Sequence, residues 1–199
     1  MNIWLAAVLI YCAIAFLTFI PTLRAMLKRV KLFPGGSSFE DSPYFSDEAK
    51  KILVQHDSRI QGTLVFWKNE AEKYRKFHYY SVSWTILAST LIPILTQVIT
   101  DEPFSKLLLT VISTHTALLL GFHRGFKVDK NFQAFRSGES DFYDLRRRLL
   151  DRPKSFGANE NEQIERYATE VEALRKFVRN SETDNAPVFE SAKAQSGQT

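Results

Sequence analysis

Three stretches without a single Asp, Glu, Lys or Arg, at residues 3–20, 82–99 and 107–122, limit what this chain can become. A stretch of 18 residues rises about 27 Å as a helix, close to the hydrocarbon thickness of a bilayer. The composition is ordinary on average, with 45% hydrophobic and 24% charged residues. The charge, however, is segregated between the apolar stretches and not spread over amphipathic faces, which excludes a plain soluble globular domain. The net charge of +4 is not a nucleic-acid signal, because the lysines and arginines flank the apolar stretches and form no separate basic stripe interleaved with aromatics. Cys12 is the sole cysteine, so neither an intrachain disulfide nor a cysteine-based metal site can form.

The first stretch is interrupted by Thr18 alone. Met1 and Asn2 bring no basic side chain before it, no small-residue cleavage site follows Phe19, and Pro21 leads into Arg24, Lys28, Arg29 and Lys31. These features favour an uncleaved N-terminal anchor over a signal peptide. The basic flank holds the C-terminal side of this helix in the cytoplasm. The other two stretches are separated by a short tip, residues 101–106, and read as a helical hairpin. Lys68, Lys73, Arg75 and Lys76 precede it and Arg124, Lys127 and Lys130 follow it, whereas Asp101, Glu102 and Lys106 leave the tip at net −1. The tip is therefore expected outside, in agreement with the anchor: three spans, N-terminus outside, C-terminus in the cytoplasm. Trp84, Tyr79, Tyr80 and Phe104 suit the interfacial aromatic belt.

The remaining segments predict cytoplasmic helices. Residues 32–47 are rich in Pro, Gly and Ser and read as a loop, with Ser46, Asp47 and Glu48 marking a helix start. Apolar residues then recur at Ala49, Leu53, Ile60, Leu64, Trp67, Ala71 and Tyr74, interrupted by His56, so one long helix is expected to run into the second span. Phe132, Phe135, Phe142, Leu145 and Leu149 form a second stripe, and Ile164, Tyr167, Val171, Leu174 and Val178 a third. The expected organisation is an anchor with its basic flank (1–31), a loop (32–47), a two-span hairpin continuous with a cytoplasmic helical bundle (48–181) and a tail (182–199). The fold class is an all-α membrane protein.

No constellation points to catalysis. His56, His78, His115 and His123 have no His-Glu-x-x-His spacing, Gly35-Gly36 lacks the residues of a phosphate loop, and there is no nucleophile elbow. The chain reads as a non-enzyme, with no cofactor and no metal site. His115, near the middle of the third stretch, is a functional candidate because an ionisable group is costly in lipid; the alternative is a neutral imidazole bonded to Thr90, Thr96 or Gln97 across the hairpin. Thr110, Thr114, Ala117 and Gly121 form a stripe of small residues, as do Thr85, Ser89, Pro93 and Thr96. Such stripes serve close helix packing or, if several hairpins surround a pathway, a weakly polar lining. His115, Thr96, Gln97 and Thr90 are thus the candidate pore or intramembrane polar residues. Glu139 interrupts an apolar stripe and needs a cation, either Arg136 or the facing Lys68 or Lys73.

The segment Trp67-x-x-x-Ala71-x-x-Tyr74-Arg75, the Ile92-Pro93 pair, Phe132-x-x-Phe135-Arg136-x-x-Glu139, Tyr167-x-x-x-Val171-Glu172 and Glu182-Thr183-Asp184-Asn185-Ala186-Pro187 together resemble the SLATT family of bacterial two-transmembrane effectors. The resemblance covers about residues 49–187. It implies an inner-membrane effector that homo-oligomerises and forms a pore or perturbs the bilayer in an antiviral conflict system, triggered through a nucleotide-synthesising or nucleotide-sensing partner. Two departures stand beside it: the anchor is additional to a two-span core, and Phe132 or Phe135 stands where a family-like Trp is expected. The rival expectation is a constitutive scaffolding membrane subunit without conductance.

Overall fold

The structure, a computed structural model, describes residues 2–29, 32 and 38–185. Five α-helices account for nearly all of them, and no strand occurs among the described residues. Three of the helices are long and apolar enough to cross a membrane: α1 (Ile3–Leu27), α2 (Asp47–Val98) and α3 (Pro103–Gly125). The other two are α4 (Val128–Asp151) and α5 (Glu160–Asn185).

Local chemistry accounts for the helix ends. The Asn2 side chain accepts a hydrogen bond from the Trp4 amide and caps α1. Ser46 caps α2, accepting from the Ala49 amide at 3.3 Å, while its own amide and hydroxyl donate to the Glu160 carboxylate at 2.9 and 2.7 Å. Glu160 thereby ties the start of α5 to the start of α2. At 52 residues α2 extends about 78 Å, continuing through Pro93 to Val98. Pro103 occupies the first turn of α3, where its missing N–H has no cost. Ser105 is buried and donates to the carbonyls of Thr100 and Glu102, which closes the four-residue connection. Lys127, with φ 43°, takes the left-handed conformation that turns the chain from α3 into α4.

Two apolar cores divide the molecule. In the larger, Leu53, Ile60, Leu64 and Trp67 of α2 pack against Phe135, Phe142 and Leu149 of α4 and Tyr167, Val171 and Val178 of α5. Gly138 lets α4 enter between its neighbours: a Cβ there would lie 2.5 Å from Val178 Cγ2 and 3.3 Å from Trp67 Cε3. The smaller core joins Val8 of α1, Ala88 of α2 and Leu108 and Ile112 of α3. Contacts between α2 and α3 pair His78 with His123, Tyr80 with His115, and Ala88 with Leu108 and Ile112, so the two helices run antiparallel.

Several boundaries differ from the sequence expectation. The segment expected as loop contains a 3-10 turn, Phe39–Asp41, capped by Ser38; Phe39 is buried against Tyr167 and lies under the Arg146 guanidinium. One buried aromatic is enough to fasten that connection to the bundle. Helix α2 starts at Asp47, and α5 continues to Asn185, into the segment expected as tail. Trp84 and Tyr80 do not face outward as a belt would require. Trp84 is buried and donates from Nε1 to Thr18 Oγ1 of α1, whereas Tyr79 and Phe104 are the exposed members of that group. Lys31, Gly35, Gly36, Ala186 and Pro187 lie outside the described residues.

Candidate functional site

The polar groups of the apolar region converge where α1, α2 and α3 meet. Tyr11 Oη lies 2.8 Å from His115 Nδ1 and Tyr80 Oη 3.2 Å from His115 Nε2, and Tyr80 Oη donates to the Ala15 carbonyl at 3.3 Å. Each donor has one proton to place. All three contacts are satisfied together when Tyr80 donates to Ala15, Nε2–H donates to Tyr80 and Nδ1 accepts from Tyr11. A neutral imidazole satisfies all three bonds, and no charge has to be held among apolar side chains. The Trp84 ring packs edge-on against Tyr11 and His115, with centroids 5.1 and 5.4 Å apart. His115 therefore clamps α1 and α2 to α3.

The partners expected for His115 are elsewhere. Thr90 and Thr96 donate to carbonyls of their own helix, at Ile86 and Pro93, and Thr90, Thr96 and Gln97 are all exposed. A hydroxyl one turn from a free lone pair on its own helix needs no cross-helix partner, and α1 occupies the side of α3 that His115 faces. The small-residue stripe of α3 points away from this junction: Thr110, Thr114, Ala117 and Gly121 are exposed. So are Ser89, Pro93 and Thr96 of α2, with Thr85 partly covered.

A second imidazole contact joins the same helices lower down. His78 Nδ1 and His123 Nε2 are 2.9 Å apart, so one of these atoms donates a single proton to the other. Close by, Thr22 of α1 is buried and its hydroxyl donates to the Lys76 carbonyl of α2 at 3.4 Å.

Glu139 and Arg136 are brought together on α4. Glu139 is 5% exposed; Oε2 accepts from Arg136 at 2.8 Å, and Oε1 lies 3.8 Å from Lys68 Nζ of α2. Lys73 is engaged instead by Glu70 at 2.6 Å. Because Arg136 and Lys68 keep much of their hydration, Glu139→Gln is expected to destabilise the protein by only about 1 kcal/mol. Glu139→Leu, which removes the buried charge altogether, should be close to neutral. Thermal unfolding in detergent checks both; a loss of several kcal/mol for the leucine variant would mean the carboxylate does more than hold register.

In the bundle, Tyr167 is buried and its hydroxyl has no partner among the described residues. Burial pushes its phenol well above the ordinary value, so it stays neutral across physiological pH. His56 packs edge-on against that ring, and its Nδ1 is likewise buried without a hydrogen-bond partner among the described residues. Among the described residues no group of His, Cys, Asp and Glu gathers at metal-binding spacing.

The sequence alone does not single out Tyr11 or Gly138, and it assigns Tyr80 to the interfacial belt, whereas its hydroxyl meets His115. Tyr11 counts as apolar in a hydropathy window, and its hydroxyl at a depth comparable to His115 was the available signal. Gly138 was signalled by its place within a helical stripe, between Phe135 and Phe142, where glycine is otherwise costly. No protein-family model matches the chain, and neither does any curated protein or solved structure.

Proposed function

We propose that this chain is a three-span membrane effector, with the N-terminus and the 101–106 tip outside and a cytoplasmic helical bundle, that assembles with copies of itself and opens or perturbs the bilayer. The single observation that carries this reading is the outward stripe of Thr110, Thr114, Ala117 and Gly121, which one chain leaves uncovered. In lipid, a seam of small and weakly polar residues gains most by packing against another helix. The resemblance to the SLATT family supplies the context: a bacterial inner-membrane protein of an antiviral system, triggered through a nucleotide-synthesising or nucleotide-sensing partner. The basic flanks supply the orientation.

A non-conducting scaffold is the second reading, and one observation favours it. His115 spends both ring nitrogens on Tyr11 and Tyr80 of the same chain, which leaves hydroxyls and the Gln97 amide as the polar groups for any pathway. The two readings differ in cells. Induced expression of an effector depolarises the membrane, and Ala117→Leu combined with Gly121→Leu on the exposed stripe abolishes that depolarisation while leaving protein levels intact. Unchanged membrane potential at high expression favours the scaffold. An Asp101→Cys reporter in a Cys12→Ala background labels from outside if the orientation is right.

A further inference from the structure

Between the end of α1, the middle of α2 and the first half of α4 lies an open groove of about 930 Å³. Arg24 reaches it from the last turn of α1, and Lys28 and Arg29 from just beyond the end of that helix. Lys68, Arg75 and Lys76 line it from α2, and Arg136 from α4. Only two carboxylates accompany these seven cations, and both are committed: Glu72 to Arg75 at 2.6 Å and Lys76 at 3.9 Å, Glu139 to Arg136 and Lys68. Arg24, Lys28 and Arg29 are exposed and have no carboxylate partner among the described residues.

A basic flank beside an apolar stretch is ordinarily a solvated surface. Here three helices that are far apart in sequence converge on one concavity, and Pro21, Ala25, Ala71 and Phe132 give it an apolar wall. The volume suits a small ligand. Four of the cations are guanidinium groups, whose planar donors match phosphate oxygens in pairs. The groove also sits where the uncharged stretch of α1 has just ended and that of α2 has yet to begin, which is the level at which lipid phosphates lie beside a spanning helix.

We propose that this groove is a binding site for a phosphate-bearing anion. The shared chemistry has two sources, an anionic phospholipid headgroup or a soluble polyphosphate, and the apolar wall accommodates either an acyl chain or an organic moiety. The inference goes beyond the effector reading and does not depend on conductance.

The test uses the full-length protein in phosphatidylcholine nanodiscs, with inorganic pyrophosphate as the soluble probe, and in nanodiscs containing phosphatidylglycerol, with lipid retention read by native mass spectrometry. The groove variant is Arg24→Gln, Lys28→Gln, Arg29→Gln. A charge-matched control, Lys51→Gln, Lys154→Gln, Lys176→Gln, changes exposed positions that do not line the groove. Wild type and control are expected to bind one of the two probes, and the groove variant to bind it about tenfold or more weakly. Pyrophosphate binding identifies a soluble ligand, and selective phosphatidylglycerol retention identifies a lipid. If the triple variant is not recovered folded, Lys28→Glu at a single exposed position makes the same comparison. The proposal is overturned if wild type binds neither probe above the chloride and phosphatidylcholine background, or if groove and control variants weaken equally.

Discussion

Gly138→Leu is expected to destabilise the helical bundle by about 3 kcal/mol or more, the largest effect of any single substitution considered for this protein. The first added carbon would already lie 2.5 Å from Val178 Cγ2, on a β-branched side chain that cannot swing aside, with the Trp67 ring at 3.3 Å behind it. Both neighbours belong to the buried core, so relief requires α4 to move away from α2 and α5 together. Gly138→Ala gains about 1 kcal/mol of helix propensity but meets the same contact, for a net loss of about 1–2 kcal/mol. Val178→Ala should recover part of the alanine variant's loss, because it removes the methyl in conflict. Melting curves in detergent, followed by circular dichroism, decide the matter; a Gly138→Leu protein that melts with wild type would mean that α4 does not pass this close to α5.

His115→Leu should cost about 2–3 kcal/mol, expressed as release of α1 from α2 and α3. Leucine has similar reach, so the loss comes from hydrogen bonds: Tyr11 is left with an unpaired hydroxyl, and Tyr80 loses a donor while keeping Ala15. Adding Tyr11→Phe removes the orphaned hydroxyl, so the double variant should be less unstable than the sum of the two single ones. Since His115 faces the inside of the three-helix junction, ion flux per assembled complex should be unchanged by the leucine, while the amount of assembled complex falls. Reduced flux at equal assembly would place the imidazole on a pathway instead.

What could be read in advance divides along physical lines. Uncharged length and 3-and-4 spacing depend only on residues along one helix, and they identify α1, the ends of α2 and α3, and the stripe residues Leu53, Ile60, Leu64, Phe135, Phe142, Leu149, Val171 and Val178 that are buried here. Which helix a polar side chain meets depends on rotation and neighbours, which single-chain periodicity does not encode. Periodicity points His115 across the α2–α3 pair to Thr90, Thr96 or Gln97, whereas its partners are Tyr11 on α1 and Tyr80, about three turns before Thr90 on α2. Phe39 lies in a Gly- and Ser-rich segment and is buried nonetheless, since one aromatic makes no period that a sequence pattern can show. Trp84 shows that an aromatic near the end of an apolar stretch can equally well be an inter-helix donor, here to Thr18.

The effector reading stands or falls on ion flux from reconstituted protein. Purified full-length chain is placed in potassium-loaded liposomes at increasing protein density, where mass action drives assembly without the natural signal. The account predicts potassium release that rises more steeply than in proportion to protein density, and that is lost in the Ala117→Leu, Gly121→Leu variant. Release no greater than from protein-free liposomes at every density, from protein shown to be folded and inserted, would contradict it.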